Sequence, residues 1–248
     1  MMSVILSQME IENSLTQLGV TPGMMLEVHC SLSSLGRVKD GAKTVIESLK
    51  NVVGQEGAIV MPSFKLSPNY PLNDVDKKFG LTQKIRILHD ENEKSAMGIV
   101  SDTFRKMPDV ITGHGLFRVS AWGKDADIHS LGFQHLIDND GYALLIGVDI
   151  YKLSAMHYVE DSLPEEIRNR SKPSKEARNI YPEDQWFIEA WESSVKPWYT
   201  IQDRAYEKGY IVDGIIGNSK CMLLKVKDVI ELYRFALQNE PYKLYGLA

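Results

Sequence analysis

The chain has 248 residues, of which 44% are hydrophobic and 25% are charged, and this ordinary globular composition can fill the core of one large domain. We therefore expect a single domain over residues 1–248. The net charge of −5 comes without the clustered Lys and Arg that bind phosphate backbones, which argues against nucleic acid as a partner. A small cationic substrate suits this charge better.

Cysteine use and hydropathy indicate the compartment. Cys30 and Cys221 have no paired spacing and no partner histidine at a zinc-finger interval, so both are expected to be reduced thiols. No apolar run reaches membrane-spanning length, and the first residues lack the pattern of a signal peptide. These features predict a cytoplasmic protein with no membrane partner.

The first predicted element is a helix. Ser7 followed by Glu10 is a capping-box pattern, which predicts where the helix begins. Gly19 is expected to end it, because glycine readily adopts the left-handed conformation that closes many helices.

A strand, helix, strand unit follows. The apolar run over residues 24–28 predicts a buried strand, and residues 31–40 form a loop rich in serine and glycine. Apolar residues recur at helical spacing over 42–53, and a second apolar strand covers 58–61. A crossover helix between two strands makes the pair parallel, so the unit predicts an α/β fold.

The middle of the chain contains one long irregular stretch. Residues 65–92 lack periodicity and are rich in Pro, Asn and Asp, which predicts an excursion near a site. A helix is expected over 97–107, and strands are expected over 117–122 and 143–148.

The last third is predicted to be mainly helical. A short helix begins near Ser154 and ends before Pro164, residues 164–199 form a helical excursion, and residues 226–237 form an amphipathic helix. The whole pattern predicts a central, mostly parallel sheet flanked by helices.

Four features that could carry chemistry follow predicted strands. The first is the loop over residues 29–42, where hydroxyls, small residues, Arg37 and Lys39 precede a helix N-terminus. The free amides and the dipole of such an end can hold a phosphate. The alternative is an ordinary connection with Asp40 as the helix N-cap.

Ser63 and His114 are the second and third features. Ser63 follows Pro62 at a strand end and could donate a hydrogen bond to a ligand carbonyl, although such a serine often only makes a turn. His114 lies between two glycines, where backbone can approach a ligand closely, although a lone histidine is more often structural.

The fourth feature is the pair of His157 and Glu160. Three residues apart on a helix, the two side chains lie on the same face. A carboxylate there can orient the imidazole and stabilise its protonated form, as general-base catalysis requires. The alternative is a chance pair on an amphipathic surface.

Five stretches of the chain occur in an order and spacing that one known family shares. They are residues 29–42, 57–64, 114–123, 141–148 and 154–160. In this order they resemble the H-x-S-L-x-x-x-G-x-V-x-G-A, G-t-l-v-M-P-T-F, H-P-x-x-S-x-A-A-x-G, D-G-k-v-L-L-l-G-v and T-x-L-H-x-x-E segments of the aminoglycoside 3-N-acetyltransferase family.

The resemblance implies an α/β/α sandwich and a reaction. The family transfers the acetyl group of acetyl-CoA to an amine, which in its characterised members is the 3-amino group of a 2-deoxystreptamine ring. By resemblance, His157 acts as general base in a direct attack, Glu160 orients it, and Ser63 or His114 donates to the oxyanion. The expected acceptor is an aminoglycoside or a related amino sugar, no metal is expected, and the enzyme is expected to be a monomer or homodimer.

The resemblance also implies that the loop after the first strand of the unit cradles the pantetheine and pyrophosphate of CoA. The residues expected to bind the cofactor are His29, Ser31, Leu32, Ser33, Ser34, Leu35, Gly36, Arg37, Val38 and Gly41.

Several positions depart from the family pattern on the acceptor side. Gly115 replaces a proline, Arg118 replaces a serine, Tyr151 and Leu153 stand where the family has Asp and Asn, and residues 111–112 replace Arg-Ser. These changes favour an amino sugar or another natural-product amine as much as a standard aminoglycoside. Arg118 would add positive charge to the acceptor site if it pointed inward.

Two other functions remain open at this point. A metal-dependent hydrolase could use the set of potential ligands near strand ends, which is His29, His114, Asp149, His157 and Glu160. A CoA-binding relative without catalytic activity would also agree with the departures.

Overall fold

The computed structural model describes residues 5–191 and 195–247. The first half contains β1 (Ile5–Leu6), α1 (Gln8–Leu18), β2 (Met25–Cys30), β3 (Arg37–Val38), α2 (Ala42–Val53), β4 (Ala58–Pro62), α3 (Asp74–Lys78), β5 (Gln83–Arg86), α4 (Gly98–Phe104), β6 (Ile111–Thr112) and β7 (Val119–Gly123). The second half contains α5 (Ala126–His129), α6 (Gln134–Asp138), β8 (Tyr142–Ile146), α7 (Glu165–Arg170), α8 (Lys175–Ile180), β9 (Trp186–Glu189), α9 (Val195–Glu207), β10 (Ile211–Ile216), β11 (Ser219–Lys225), α10 (Val226–Asn239) and α11 (Pro241–Leu244). Short 3-10 helices span Leu32–Leu35, Ile150–Lys152 and Ser154–Ser162, and the last of these is called the His157 helix below.

A seven-stranded sheet in the order β10-β11-β8-β2-β4-β7-β6 forms the centre of the molecule. Its middle strand β2 pairs in parallel with β4 and with β8, which confirms the predicted strand, helix, strand unit. Antiparallel strands continue the sheet on both sides, namely β7 and β6 beyond β4, and β11 and β10 beyond β8. The expectation of a mostly parallel sheet is therefore wrong.

A short connection explains one antiparallel pair, β10 with β11. Only Gly217 and Asn218 join β10 to β11, and a two-residue turn can connect antiparallel neighbours but cannot provide a crossover. Gly217 has a φ of 58°, in the left-handed region that such turns require.

Helices cover both faces of the sheet. On one face, side chains of α1, α2 and α4 pack against Leu26, Val28 and Leu144, and on the other, side chains of α6, α9 and α10 pack against Ala143 and Leu145. The α/β fold with flanking helices is confirmed. Among the described residues, no helix combines the length and the apolar character that crossing a bilayer would require.

Helix α1 has the predicted caps. The Ser7 amide donates to Glu10 Oε2 at 2.8 Å, and the Glu10 amide donates to Ser7 Oγ at 3.4 Å. Gly19 follows in the left-handed conformation with a φ of 108°. The capping box and the glycine therefore predicted both ends of this helix correctly.

Parts of the stretches over 65–92 and 164–191 fold together. Strand β5 pairs antiparallel with β9, so Gln83 lies opposite Glu189. The prediction of a helical excursion over 164–199 is thus only partly right, because β9 interrupts it, and residues 192–194 of that range lie outside the described residues. Beneath the small sheet, Lys84 Nζ donates to the buried Asp76 carboxylate at 2.5 Å.

Candidate active site

The parallel strands β8, β2 and β4 end at one edge of the sheet, and the segments that follow them carry the predicted site residues. The loop over residues 31–41 follows β2, Ser63 follows β4, and the His157 helix comes shortly after β8. Ligands of open sheets bind beyond the carboxyl ends of parallel strands, where such segments converge. This edge is therefore the candidate active site.

His157 and Glu160 are hydrogen-bonded as predicted. His157 Nδ1 donates to Glu160 Oε2 at 2.7 Å. The second carboxylate oxygen, Oε1, accepts from Trp198 Nε1 at 3.2 Å and lies 3.5 Å from the Tyr233 hydroxyl. The Trp198 ring packs against the imidazole with a centroid distance of 4.8 Å.

This arrangement leaves one nitrogen of His157 available. Glu160 engages Nδ1, whereas Nε2 makes no hydrogen bond within the described part of the chain. The side chain is 57% exposed, so an incoming molecule can reach it. A neutral imidazole held in this way can accept a proton through Nε2.

The surroundings of His157 adjust its basicity in opposite directions. Desolvation disfavours the imidazolium, but the hydrogen bond and the charge of Glu160, with the charges of Glu189 and Glu27, outweigh it. The pKa of His157 is therefore raised above its ordinary value. A raised pKa makes the neutral imidazole a stronger proton acceptor.

Glu27 is a buried carboxylate in the centre of the sheet that the sequence analysis did not select. It lies on β2 and is fully buried, and its Oε1 accepts from His29 Nε2 at 2.7 Å. The same oxygen accepts the backbone amides of Ser154 at 2.7 Å and of Ala155 at 3.3 Å. The signal that could have found it is a glutamate inside an otherwise apolar strand.

Glu189 is a third carboxylate of the site and comes from β9. Trp186 and Ile188 pack into a small core on one face of this strand, so Phe187 and Glu189 project from the other face. Desolvation and the charge of Glu160 raise the pKa of Glu189, while His157 lowers it. In the described structure Glu189 has no side-chain hydrogen bond or salt bridge, so its charge is available to a ligand.

The loop after β2 forms a surface cavity of about 450 Å³. Six of the predicted cofactor residues line it, which are Ser31, Leu32, Ser33, Gly36, Val38 and Gly41. Gly41, rather than Asp40, is the N-cap of α2, and no side chain caps the first turn. The amides of that turn therefore face the loop region without a capping side chain.

The other predicted cofactor residues lie around this cavity. His29 turns toward Glu27, and the Ser34 hydroxyl lies 2.8 Å from that of Ser219. Leu35 is buried in the core, whereas Arg37 is exposed on β3. These four residues shape the loop more than they line the cavity.

A second cavity of about 520 Å³ adjoins the first, and the two share Ile99. Three exposed lysines, Lys43, Lys94 and Lys106, line it. None of these lysines forms a salt bridge within the described residues. The two cavities together form a track with small, hydroxylated residues at one end and the three lysines at the other, where the lining carboxylates Glu93 and Asp102 pair with Arg86 and Arg105.

Ser63 and His114 lie in different environments. Ser63 is buried, and its hydroxyl is 2.6 Å from that of Ser120, which is in turn 2.8 Å from the Thr112 hydroxyl. His114 is exposed and has no hydrogen-bonding partner among the described residues. The preceding Gly113 packs against the Ser130 carbonyl, so its lack of a side chain serves contact with protein.

The departures from the family pattern have distinct structural consequences. Arg118 points to Glu91, with Nη1 2.6 Å from Oε1, and its Nε donates to the Ser63 carbonyl at 2.9 Å. The hydrogen bond between Arg118 and Glu91 is the main reason why the pKa of Glu91 is lowered to about 2. The charge of Arg118 is therefore balanced by the Glu91 carboxylate. Leu153 is buried in the core, whereas Tyr151 is 38% exposed.

The positions of the two cysteines and of the possible metal ligands can also be compared with the sequence analysis. Cys30 and Cys221 are both free and lie opposite Ile146 on strands either side of it, two strand spacings apart, too far for a disulfide. Within residues 5–191 and 195–247, no group of three or more His, Cys, Asp or Glu side chains is arranged to hold a metal ion. The ligand set of the hydrolase hypothesis is therefore not assembled.

Comparison with known proteins identifies the family. The family model described as aminoglycoside 3-N-acetyltransferase matches residues 28–238. The SPbeta prophage-derived aminoglycoside N(3')-acetyltransferase-like protein YokD of Bacillus subtilis is 30% identical over 189 residues, covering 67% of this chain and 70% of that protein. Aminoglycoside N(3)-acetyltransferase IV of a Salmonella species is 26% identical over 250 residues, covering 94% and 87% of the two chains.

A solved structure shares the fold. The apoenzyme of aminoglycoside acetyltransferase AAC(3)-IVa superposes with a TM-score of 0.72 at 22% identity, covering 99% of this chain and 93% of that one. The family match spans most of the chain and includes the strand ends that build the candidate site. This chain therefore belongs to the aminoglycoside 3-N-acetyltransferase family and is an acetyl-CoA-dependent enzyme.

Proposed function

We propose that this enzyme transfers the acetyl group of acetyl-CoA to an amine of an aminoglycoside or a related amino sugar, with His157 as the general base. The observation that carries the proposal is the 2.7 Å hydrogen bond from His157 Nδ1 to Glu160, which leaves Nε2 of this partly exposed side chain without a partner among the described residues, at the edge of the sheet where ligands bind.

The chemistry follows from this geometry. A neutral amine attacks the thioester carbonyl, forming the C–N bond, and the carbonyl oxygen becomes an oxyanion. His157 Nε2 takes the proton that the nitrogen loses, and Glu160 balances the imidazolium. The C–S bond then breaks, and the CoA thiolate leaves and is protonated by the imidazolium. General-base help of this kind is worth roughly two to four decades in rate.

The two adjoining cavities support a path for acetyl-CoA. The cavity lined by Ser31, Ser33 and Gly41 suits the pantetheine amides and the diphosphate of CoA. The backbone amides at the start of α2 have no capping side chain and attract anions such as the diphosphate. The lysines of the second cavity suit the 3′-phosphate of the nucleotide. Another protein of this fold, AAC-IIIb, has been solved as a binary complex with CoASH, at 15% identity and a TM-score of 0.68.

The charge around His157 supports a cationic acceptor. Glu27, Glu160 and Glu189 all act on the imidazole, and Glu189 has no cationic partner among the described residues. The nearest departure that would oppose a cation, Arg118, is paired with Glu91. An ammonium group of the acceptor would neutralise Glu189 while its reactive amine lies beside Nε2.

Acetyl-CoA titration with a panel of amines tests the proposal. Binding of CoA is measured by calorimetry, and transfer is followed by release of free thiol with an aminoglycoside, an amino sugar and a simple alkylamine. We expect CoA to bind and at least one polyamine to release thiol. Absence of CoA binding contradicts the proposal, and binding without turnover on any amine identifies a non-catalytic relative.

The cellular compartment and the number of subunits are part of the same proposal. We place the enzyme in the cytoplasm as a monomer or homodimer whose partners are small molecules, because acetyl-CoA has to reach the site. Light scattering of the purified protein gives the number of subunits.

A further inference from the structure

Glu27 occupies an unusual place for a carboxylate. It lies on the central strand β2, with Val60 of β4 and Ala143 of β8 as its neighbours across the sheet, and it is fully buried. Burying a carboxylate is costly unless hydrogen bonds and opposite charge compensate for it. A glutamate in the middle of a sheet therefore calls for a reason beyond packing.

The backbone amides that contact Glu27 belong to the His157 helix. This helix begins at Ser154, and no side chain of its own segment caps it. Glu27 Oε1 instead accepts the first two amides, those of Ser154 at 2.7 Å and Ala155 at 3.3 Å, from a position 127 residues earlier. Free amides at a helix start need such acceptors, and a negative charge there is favourable.

His29 completes the arrangement. Its Nε2 donates to the same oxygen of Glu27 at 2.7 Å, and its side chain is only 9% exposed. The other oxygen, Oε2, is buried and has no partner within the described residues. The carboxylate is therefore anchored through one oxygen, directly behind the helix that presents the base.

We propose that Glu27 is a positioning residue for catalysis, which caps the His157 helix across the sheet and places a negative charge at the start of the helix that carries the base. The inference rests on the proposed role of His157 as general base. Glu27 itself touches no substrate: it acts through the position and the charge state of His157.

Other groups also affect the pKa of His157, and the effect of Glu27 has to be separated from theirs. Glu160 lies on the same helix and forms the direct hydrogen bond, Glu189 approaches from β9, and Tyr233 of α10 contacts Glu160 with a hydroxyl whose pKa burial raises. Glu27 is the acidic group that acts from β2. Its contribution can be separated because Glu27→Gln keeps the shape and an acceptor oxygen but removes the charge.

Titration of His157 by NMR tests the charge role without substrate. The ring signal is assigned by its loss in His157→Gln and followed with pH in wild type, Glu27→Gln, Glu160→Gln and the exposed control Glu56→Gln. We expect Glu27→Gln to lower the pKa of His157 by roughly half a unit, Glu160→Gln to lower it more, and Glu56→Gln to leave it unchanged. An unchanged pKa in Glu27→Gln, alongside a lowered one in Glu160→Gln, overturns the charge role.

Hydrogen exchange of the wild-type protein tests the capping role and remains informative if Glu27→Gln does not fold. The amides of Ser154 and Ala155 should exchange more than about 100-fold slower than in an unstructured peptide. Exchange at the unstructured rate contradicts the cap. Both measurements need no acetyl transfer, so their failure is distinct from the failure of the proposed function.

Discussion

At the scale of single residues, the site is one imidazole surrounded by three carboxylates. Desolvation alone would make His157 a weak base, and Glu160, Glu189 and Glu27 reverse that effect. The sum of these opposing influences is a raised pKa. The raised pKa predicts how kcat depends on pH.

Replacing Glu160 with Gln should change both the rate and its pH profile. His157 works only when neutral, so kcat should rise with pH through a pKa above about 6.5, the ordinary value for histidine. Without the Glu160 carboxylate the imidazolium loses its main support while desolvation remains, so the pKa falls. The acidic limb of kcat should move to lower pH and the plateau should drop about tenfold or more. A limb that stays in place would show that another group titrates.

The acetyl group should pass directly to the amine. Cys30 is the thiol that lines the loop cavity, but burial, with a smaller contribution from Cys221, raises its pKa to about 12. A thiol that stays protonated is a poor nucleophile. Intact-protein mass spectrometry after incubation with acetyl-CoA and no acceptor should show no acetylated enzyme. A stoichiometric acetyl adduct on Cys30 would require a covalent intermediate instead.

The hydrogen bond between His157 and Glu160 could be predicted from spacing alone, because three residues bring the two side chains to one face of a single helical turn. The role of Glu27 could not be predicted from spacing. Its partners Ser154 and Ala155 lie far along the chain, and only the pairing of β2 with β8 brings them together. The contact of His29 with Glu27 is local by contrast, because residues two apart on a strand lie on the same face.

At the scale of elements, the loop after β2 and the start of α2 form one half of the proposed cofactor path, and the lysines near α4 form the other. The first half was predictable, because serines and glycines between a strand and a helix form a local pattern. The second half was not, since Lys43, Lys94 and Lys106 come from three separate segments.

The lysine cavity predicts that the enzyme distinguishes CoA from dephospho-CoA, which lacks the 3′-phosphate. We expect the wild type to bind CoA about tenfold more tightly, and the Lys43→Ala, Lys106→Ala double variant to bind the two almost equally. Lys208→Ala, at an exposed lysine just after the end of α9, serves as the matched control. Calorimetric Kd values that keep the tenfold ratio in the double variant would place the phosphate elsewhere.

Elements with local signals were predicted well, and those that depend on distant pairing were not. Helix α1 was found from Ser7, Glu10 and Gly19 alone. Strand β5 is short and mixed in character, and its partner β9 lies about a hundred residues away, so neither has a pattern that predicts the pair. The hairpin of β10 and β11 had a usable signal, the Gly-Asn turn at 217–218 between apolar runs.

At the scale of the whole molecule, the sheet joins a parallel centre to antiparallel flanks. Composition and the β2-α2-β4 unit were enough to predict an α/β fold. The flanks depend on which sheet edge each later strand joins, and hydrophobic pattern does not encode that choice. The predicted site residues follow the parallel strands, whose arrangement the β2-α2-β4 pattern indicated, whereas Glu189 comes from β9, which had no such pattern.

The stability of the fold should depend strongly on Leu144. It lies on β8 between Val28 of β2 and Leu223 of β11 and is fully buried. Leu144→Ala should lower the free energy of unfolding by about 2–5 kcal/mol, because it leaves a cavity between the sheet and its helices. Leu131→Ala, at a side chain 84% exposed, should change it by less than about 0.5 kcal/mol. Urea unfolding measures both, and equal effects would mean that β8 is not central to the core.

The most direct test of His157 as the general base is the activity of His157→Ala with an accepted amine, measured beside wild type and the exposed control His89→Gln. We expect kcat to fall by roughly 100-fold to 10,000-fold while the Kd for CoA changes by less than about twofold, because His157 acts on the amine proton and not on the cofactor. A His157→Ala enzyme that retains the wild-type kcat would contradict the assignment of the base.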